Sequence, residues 1–375
     1  MNSVKKASKA NNTKKKAYPD NALKVYDAVS PDKVNPDAVS PHKVSPDKAS
    51  IADYSEHNNQ AGNMMKALVI QRYGGPEQLQ LQRVPRPVSE KGKPLVRVHA
   101  AGVNPVDCKI RNGSMRLLVG KSFPRILGSD IAGVIEESEA GSDFRPGDRV
   151  FGMLTLAGGG YADYISVTER QLCRIPEGVG MTEAAATPLA SLTALQALGK
   201  GRKLKAGDRV LVNGAAGGVG SFAVQIAHAY GLEVTGVCRS DNADFVKKLG
   251  AHEVIDYRST DFTKSGKTWD MVLDAVGKRS YKECRRILSS GGTYVGTLPV
   301  KGLLFHQAMN PFRSKRASFV MVKPHGSDLS VIANLMKSGK VRAYVQETFP
   351  LEEGVKAHQL IETERVRGKL VLTVE

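Results

Sequence analysis

The sequence predicts an α/β protein with two domains: a β-rich, barrel-like body and a doubly wound parallel sheet, preceded by an extended arm. Three observations carry this expectation. Residues 65–164 fall into short strands punctuated by Gly, Pro and Asp, residues 184–297 alternate strands with helical segments, and residues 1–63 hold little to bury. Alternating strands and helices build a parallel sheet covered on both faces, whereas a run of short strands builds a barrel or sandwich.

The arm comes first. Residues 1–19 contain six Lys and no acidic residue, and four five-residue repeats follow over 30–49, each with Pro at its second position (Pro31, Pro36, Pro41, Pro46). Proline at that spacing blocks helix and central strand alike. With so little apolar surface, ordering costs entropy without return, and 1–63 reads as a disordered basic extension. Met64-Met65 opens the folded part. Residues 66–70 read as a strand, 73–76 as a turn, and 95–99 as a half-buried strand by their alternation. Residues 64–185 form the β-rich domain, completed by 312–375. Residues 186–311 form the parallel-sheet domain: strand 209–213, helix 218–230, strand 233–238, helix 241–249, strands 253–256 and 270–274, helix 279–288 and strand 292–297. A helix over 327–338 and strands at 341–346 and 369–374 return to the first domain.

Composition narrows the class. No apolar run approaches the ~18–20 residues that cross a bilayer. Cys108, Cys173, Cys238 and Cys284 are dispersed and form no C-x-x-C pair, which argues against a structural zinc lobe or a disulfide scaffold and suits a reducing compartment. The net charge is +17; ten Lys against seven acidic residues in 1–63 account for +3, leaving +14 on the folded part. Such an excess favours anions, whether a phosphorylated cofactor, an acidic membrane surface or nucleic acid, and equally suits a solvated basic surface that aids solubility. No basic run with interleaved aromatics points to specific nucleic-acid binding.

The most informative stretch is R-V-L-V-N-G-A-A-G-G-V-G-S, residues 209–221. A buried strand enters a glycine-rich turn that opens a helix, with Ala216, Gly217, Gly218 and Val219 at the turn. Glycine admits a diphosphate close to the backbone, and the helix N-terminus offers free N–H groups and a favourable dipole. This is the fingerprint of a Rossmann dinucleotide site. Cofactors without a 2′-phosphate are held by an acidic residue about 20 positions further on. Here Arg239 stands 19 residues after Gly220, followed by Ser240 and Asn242. A guanidinium suits a 2′-phosphate, so NADPH is the expected cofactor. Asp241 is expected to cap the following helix.

Several ordered stretches resemble the zinc-independent quinone oxidoreductase branch of the medium-chain dehydrogenase/reductase family. They are A-G-V-N-P-V-D (101–107), L-G-S-D-I-A-G (127–133), G-D-R-V (147–150), G-G-Y-A-D-Y (159–164), the glycine turn, V-I-D-Y (254–257), V-L-D-A-V-G (272–277) and G-K-L-V-L (368–372). Within that branch the likeness is greatest to chloroplast-envelope quinone oxidoreductase homologues and alkenal/oxoene reductases, through N-P-V-D-C-K at 104–109. The resemblance implies a GroES-like catalytic domain on a Rossmann domain and NADPH-dependent reduction of a quinone or of the C=C bond of an α,β-unsaturated carbonyl.

It also implies residue roles. Asn104 and Ser129 stand where zinc-dependent relatives have their first and second ligands, and neither side chain binds zinc well. No metal is therefore expected. Asn104 is assigned a place beside the nicotinamide and Lys109 a contact to the cofactor ribose. Thr193, Thr297, Tyr257, Arg365 and Lys369 match positions that approach the cofactor, and Tyr73 and Tyr161 are candidate borders of the substrate pocket. Simpler readings stand beside these: Asn104-Pro105 also suits a turn, Lys109, Arg365 and Lys369 also suit surface charges, and each tyrosine also suits packing. Relatives imply a homodimer through the edge of the nucleotide domain. The compartment reads as cytoplasm, with an organelle or a membrane surface as the alternative. A zinc alcohol dehydrogenase and a non-catalytic scaffold bound to acidic membrane or RNA are the competing functions.

Overall fold

The computed structural model describes residues 63–297 and 302–374; the arm, except Asn63, lies outside them. The chain begins with β1 (Met64–Ile70), β2 (Gln80–Pro85) and β3 (Leu95–Val103). In β3 Leu95, Val96 and Val98 are buried while Arg97 is exposed, and beyond Ala100 both faces are covered. Helix α1 (Pro105–Arg111) starts directly after it, and α2 (Arg116–Val119) follows. The antiparallel body continues through β4 (Arg125–Ile126), β5 (Asp130–Glu137), β6 (Arg149–Met153), β7 (Tyr164–Ser166) and β8 (Leu172–Arg174). Helices α3 (Met181–Ala185) and α4 (Pro188–Leu198) lead into the second domain; ten of the eleven residues of α4 are buried.

That domain contains β9 (Arg209–Asn213), α5 (Gly218–Ala229), β10 (Glu233–Cys238), α6 (Ala243–Lys248), β11 (Glu253–Asp256), β12 (Trp269–Asp274), α7 (Tyr281–Cys284), β13 (Leu288–Gly296), α8 (Leu303–Ala308) and β14 (Arg316–Phe319). All six strands are parallel, in the order β11-β10-β9-β12-β13-β14. By sequence this is 3-2-1-4-5-6, the order of a doubly wound dinucleotide-binding sheet. The chain ends with α9 (Gly326–Lys337), β15 (Val345–Pro350), α10 (Gly354–Glu362) and β16 (Lys369–Thr373). Strand β16 inserts between β15 and β3 in the sheet β15-β16-β3-β5-β6-β8, so the C-terminus returns to the first domain.

Three elements depart from expectation. Strand β14 lies beyond the expected domain boundary at 311 and pairs with β13, Thr293 opposite Arg316, making it part of the parallel sheet. Only four residues long, it was obscured by its basic neighbours. The helix expected over 279–288 is a single turn followed by a 3-10 turn that ends at the buried Ile287, because Leu288, buried in the same core, already opens β13. The strand expected at 341–346 pairs only from Val345; Val341 and Ala343 are buried but precede the ladder.

Candidate cofactor cleft and active site

Strand order reverses between β9 and β12, and in such sheets ligands bind beyond the strand ends at that point. The turn after β9 occupies it. Gly214 has φ +84°, and a Cβ there would meet Val276 Cγ2 at 2.5 Å. A Cβ on Gly220 would overlap the Gly214 carbonyl. Helix α5 starts at Gly218 with an extended Gly217 before it and no side chain capping it. The Ser221 N–H is bonded back to Gly217 O at 2.9 Å, leaving the N–H groups of 218–220 as the free donors of a helix start. A backbone cradle with free donors and no side chain in the way fits a diphosphate.

The C-terminal strand meets this cradle. Gly368 N donates to Ala216 O at 2.9 Å, and a Cβ on Gly218 would stand 3.1 Å from Lys369 Cδ. Lys369 itself is 4% exposed and reaches into the antiparallel body. Its ammonium donates to Asn104 Oδ1 and to Val103 O (3.2 Å), and lies 3.6 Å from Asp130 Oδ2. Asn104 Nδ2 donates to that same Asp130 oxygen at 2.9 Å. Asp130 Oδ1 accepts from Leu189 N at 2.8 Å, so a residue of β5 caps α4 across the domain junction. Burial lowers the Lys369 pKa against the pull of Asp130, and burial raises that of Asp130 against the pull of Lys369. The surface-charge reading of Lys369 is thus excluded, and the turn reading of Asn104 becomes a helix cap: Asn104 and Asp107 form a capping box, with Pro105 at the first helical position.

Beneath Asn104 lies a buried polar chain. Asp107 accepts from Asn104 N (2.9 Å), Ser129 Oγ (2.7 Å) and Tyr161 Oη (3.2 Å). Tyr161 contacts His358 Nε2 at 3.3 Å; His358 Nδ1 contacts Arg111 Nη1 at 3.0 Å and Cys108 Sγ at 3.4 Å; Arg111 Nη2 pairs with Glu362 at 2.5 Å. Tyr161 lies fully buried behind Asp107, between it and His358, with its hydroxyl directed to Asp107, and this replaces its expected role at the border of a pocket. Tyr73 is half-buried, edge-on to Phe123 at 4.9 Å, with its hydroxyl on Gly120 O. Lys109 is half-buried on α1.

At the end of β10, Arg239 Nη2 pairs with Asp241 at 2.7 Å, and its Nε is buried without a partner among the described residues. Asp241 therefore neutralises Arg239, and makes no cap hydrogen bond to the helix as had been expected. Asn242 Oδ1 accepts from Arg367 Nε at 2.7 Å, and Arg367 also reaches Asp241 O at 3.4 Å and lies over the Phe245 ring. Arg365 is exposed, with no side-chain partner recorded among the described residues. Arg367, two residues beyond Arg365 and not among the residues expected from the sequence, is the guanidinium that meets this loop. Ser240 is exposed and Tyr257 is 51% exposed beside it, their strand ends paired through Cys238 and Asp256. Thr193 turns back to Leu189 O within α4 (2.6 Å), and Thr297 bonds Asp274 O (3.3 Å) past the end of β13.

An antiparallel GroES-like body joined to a Rossmann sheet, with the glycine turn facing a buried Asn-Lys-Asp cluster, defines a nicotinamide-dependent oxidoreductase. Comparison with known proteins agrees. Residues 90–177 match the alcohol dehydrogenase GroES-like domain and residues 249–372 the zinc-binding dehydrogenase domain. The chain is 33% identical over 330 residues to the chloroplast envelope quinone oxidoreductase homolog of Arabidopsis thaliana, spanning 83% of this chain and 99% of that one. It is 33% identical over 356 residues to human mitochondrial NAD(P)H oxidoreductase RTN4IP1, spanning 83% and 89%. The structure of the quinone oxidoreductase from Coxiella burnetii superposes with a TM-score of 0.76 at 32% identity, covering 83% of this chain and all of that one. The chain belongs to the quinone oxidoreductase branch of the medium-chain dehydrogenase/reductase family.

Proposed function

We propose that this protein uses NADPH to reduce quinones or the C=C bond of α,β-unsaturated carbonyls, without catalytic zinc. The observation that carries the proposal is the junction itself: the cradle at 216–220 is bonded to the strand whose Lys369 holds Asn104. When bound, the cofactor supplies the hydride. The chain's own residues supply the rest. The N–H groups at the start of α5 hold the diphosphate. Arg239 and Arg367, with Ser240, Asn242 and Tyr257 around them, suit a 2′-phosphate; the unpartnered Arg239 Nε supports this. Thr193 and Thr297 line the cleft walls. Asn104 is locked by Asp130 and Lys369 beside the nicotinamide, and Lys109 lies one helical turn away toward the ribose. Donors fixed near a developing oxyanion lower the barrier to its formation.

The donor chemistry supports zinc independence. Asn104 and Ser129 offer an amide and a hydroxyl, bonded to Asp130, Lys369 and Asp107, and neither group binds zinc well. Cys108 is a poor ligand, because burial pushes its thiol up to about 12 and zinc binds thiolate. Among the described residues no group of three His, Cys, Asp or Glu is placed to hold a metal.

The test follows NADPH absorbance with 1,4-naphthoquinone and hex-2-enal, with and without a chelator, alongside elemental analysis. Turnover unaffected by chelation is expected. Stoichiometric zinc, or inertness toward both acceptors, refutes the reading. A homodimer through β14 and attachment to an acidic membrane belong to the same proposal; sedimentation and salt-dependent liposome pelleting test them. Relatives named chloroplastic and mitochondrial favour an organelle over the cytoplasm, and a fluorescent fusion of residues 1–63 tests that.

A further inference from the structure

Arginine only donates hydrogen bonds, and this sets the direction of the protons from His358 through Tyr161 to Asp107. Arg111 Nη1 donates to His358 Nδ1, so that nitrogen carries no proton and the neutral ring bears its hydrogen on Nε2. Nε2 then donates to Tyr161 Oη, and the tyrosine O–H is directed on to Asp107 Oδ2. The Asn104 backbone N–H donates to the same oxygen. Oδ2 is thus filled by two fixed donors. Among the described residues Oδ1 faces the Ser129 hydroxyl alone, at 2.7 Å, and a hydroxyl can either donate or accept. Oδ1 is therefore the one atom of this carboxyl where a proton can come and go. Ser129 directly precedes Asp130, whose carboxylate holds Asn104 and approaches Lys369, so the pair stands where the antiparallel body meets the glycine turn.

We propose that Asp107 and Ser129 form a two-membered proton relay that completes the reduction: Asp107 Oδ1–H donates to Ser129 Oγ, and the Ser129 O–H passes its proton to the acceptor after hydride has arrived. The inference rests on the reductase reading above. Hydride addition leaves an electron pair and one negative charge on the acceptor, as an enolate or a hydroquinone monoanion. The Ser129 O–H bond breaks as a C–H or O–H bond forms on the acceptor. A new O–H forms on Ser129 as that of Asp107 breaks, and Asp107 is left as a carboxylate facing the Tyr161 and Asn104 donors. No oxidation state changes in these steps, and water entering the cleft returns the proton once product has left.

The surroundings suit a store that fills near neutrality. Burial, with Asp130 adding repulsion, raises Asp107 to about 6 although Ser129, Asn104 N and Lys369 pull it down. The charged and titratable groups around it are Asp130 from β5, Lys369 from β16, Cys108 and Arg111 from its own helix, and Tyr161 with His358 behind it. A carboxylate serving only to cap α1 needs neither the hydroxyl on Oδ1 nor a proton.

Two measurements on the full chain test the relay. In the first, kcat with NADPH and hex-2-enal or 1,4-naphthoquinone is followed from about pH 5 to 8 for wild type, Ser129→Ala and Ser129→Thr. Wild-type kcat falls as pH rises through about 6. Ser129→Ala loses about 100-fold, the size of a missing general acid, loses the pH dependence and keeps its KM for NADPH; Ser129→Thr restores most of the rate. In the second, infrared difference spectra show a protonated-carboxyl band that titrates near pH 6 and vanishes in Asp107→Asn. A chain that turns over but is indifferent to Ser129→Ala, or that lacks the titrating band while natively folded, overturns the relay alone. A wild-type chain inert to both acceptors overturns the reductase reading and the relay with it.

Discussion

Replacing His358 with Gln tests how the buried chain is built. Glutamine offers one acceptor to Arg111 and one donor to Tyr161, as the neutral ring does, but it cannot take up a proton. Burial, with the Arg111 charge second, holds His358 down at about 3 against an ordinary value of 6.5. Between those values the unfolded chain binds the proton and the folded chain does not, so unfolding free energy falls as pH falls. This stabilisation is complete above pH 6.5 and is lost on the way down to about pH 3. Over the whole gap it amounts to roughly 5 kcal/mol, and to about 3 kcal/mol by pH 4.5, at about 1.4 kcal/mol per pH unit. Asp107 acts oppositely: its raised folded value means stability is lost as pH rises from about 4 to about 6. The wild-type profile therefore mixes two slopes, and the difference between wild type and His358→Gln isolates the histidine. Urea unfolding followed by far-ultraviolet circular dichroism is the assay, because the only tryptophan, Trp269, is buried in the parallel sheet and reports on the other domain. The gap between wild type and variant should move by about 3 kcal/mol in favour of the variant from pH 7 to 4.5. A gap that stays constant with pH would show that His358 is not held neutral, and the proton directions drawn from Arg111 would fall with it.

Other expectations follow from the junction. Lys369→Met leaves the Asp130 carboxylate buried without its ammonium and should cost about 3–5 kcal/mol near pH 7.5; the loss should shrink at pH 5, where Asp130 more readily takes a proton, and a pH-independent loss in urea titrations would contradict the pairing. Gly218→Val places branched carbon against Lys369 Cδ and the Gly368 carbonyl, 3.1 and 3.5 Å from its Cβ; fluorescence titration should show NADPH binding weakened by at least about tenfold, a factor worth about 1.4 kcal/mol, with the unfolding midpoint little changed. Arg239→Asp should weaken NADPH far more than NADH, and Arg367→Gln should act in the same direction but less, since Arg367 is also engaged by Asn242. Equal effects on both cofactors would remove the 2′-phosphate from this loop.

What was legible in the sequence was local. Strand β9, the glycine turn and α5 are contiguous, and glycine spacing with an apolar run reports backbone geometry directly. Arg239 was found because it follows β10 at a set distance from that turn. Its partner was misjudged: Asp241 has the right chemistry for a helix cap, and only the folded loop shows its carboxylate turned to the guanidinium. The sequence leaves Tyr161 open between pocket border and packing, because aromatic residues near glycines suit either role until burial is known. No histidine was singled out, since His358 stands 247 residues from Arg111 and 197 from Tyr161. No spacing rule spans such separations.

The order of most strands and helices and the glycine turn follow from the sequence by itself, because each depends on residues close together along the chain, whereas the meaning of Asn104 and Ser129 as zinc-ligand positions comes from the resemblance to the family. The tertiary structure alone decided that Lys369 joins the cradle to Asn104, that β5 caps α4 through Asp130, and that Asp107 ends a chain of donors. Those contacts exist because β16 returns to lie beside β3, and burial then requires every polar group it brings inward to find a partner.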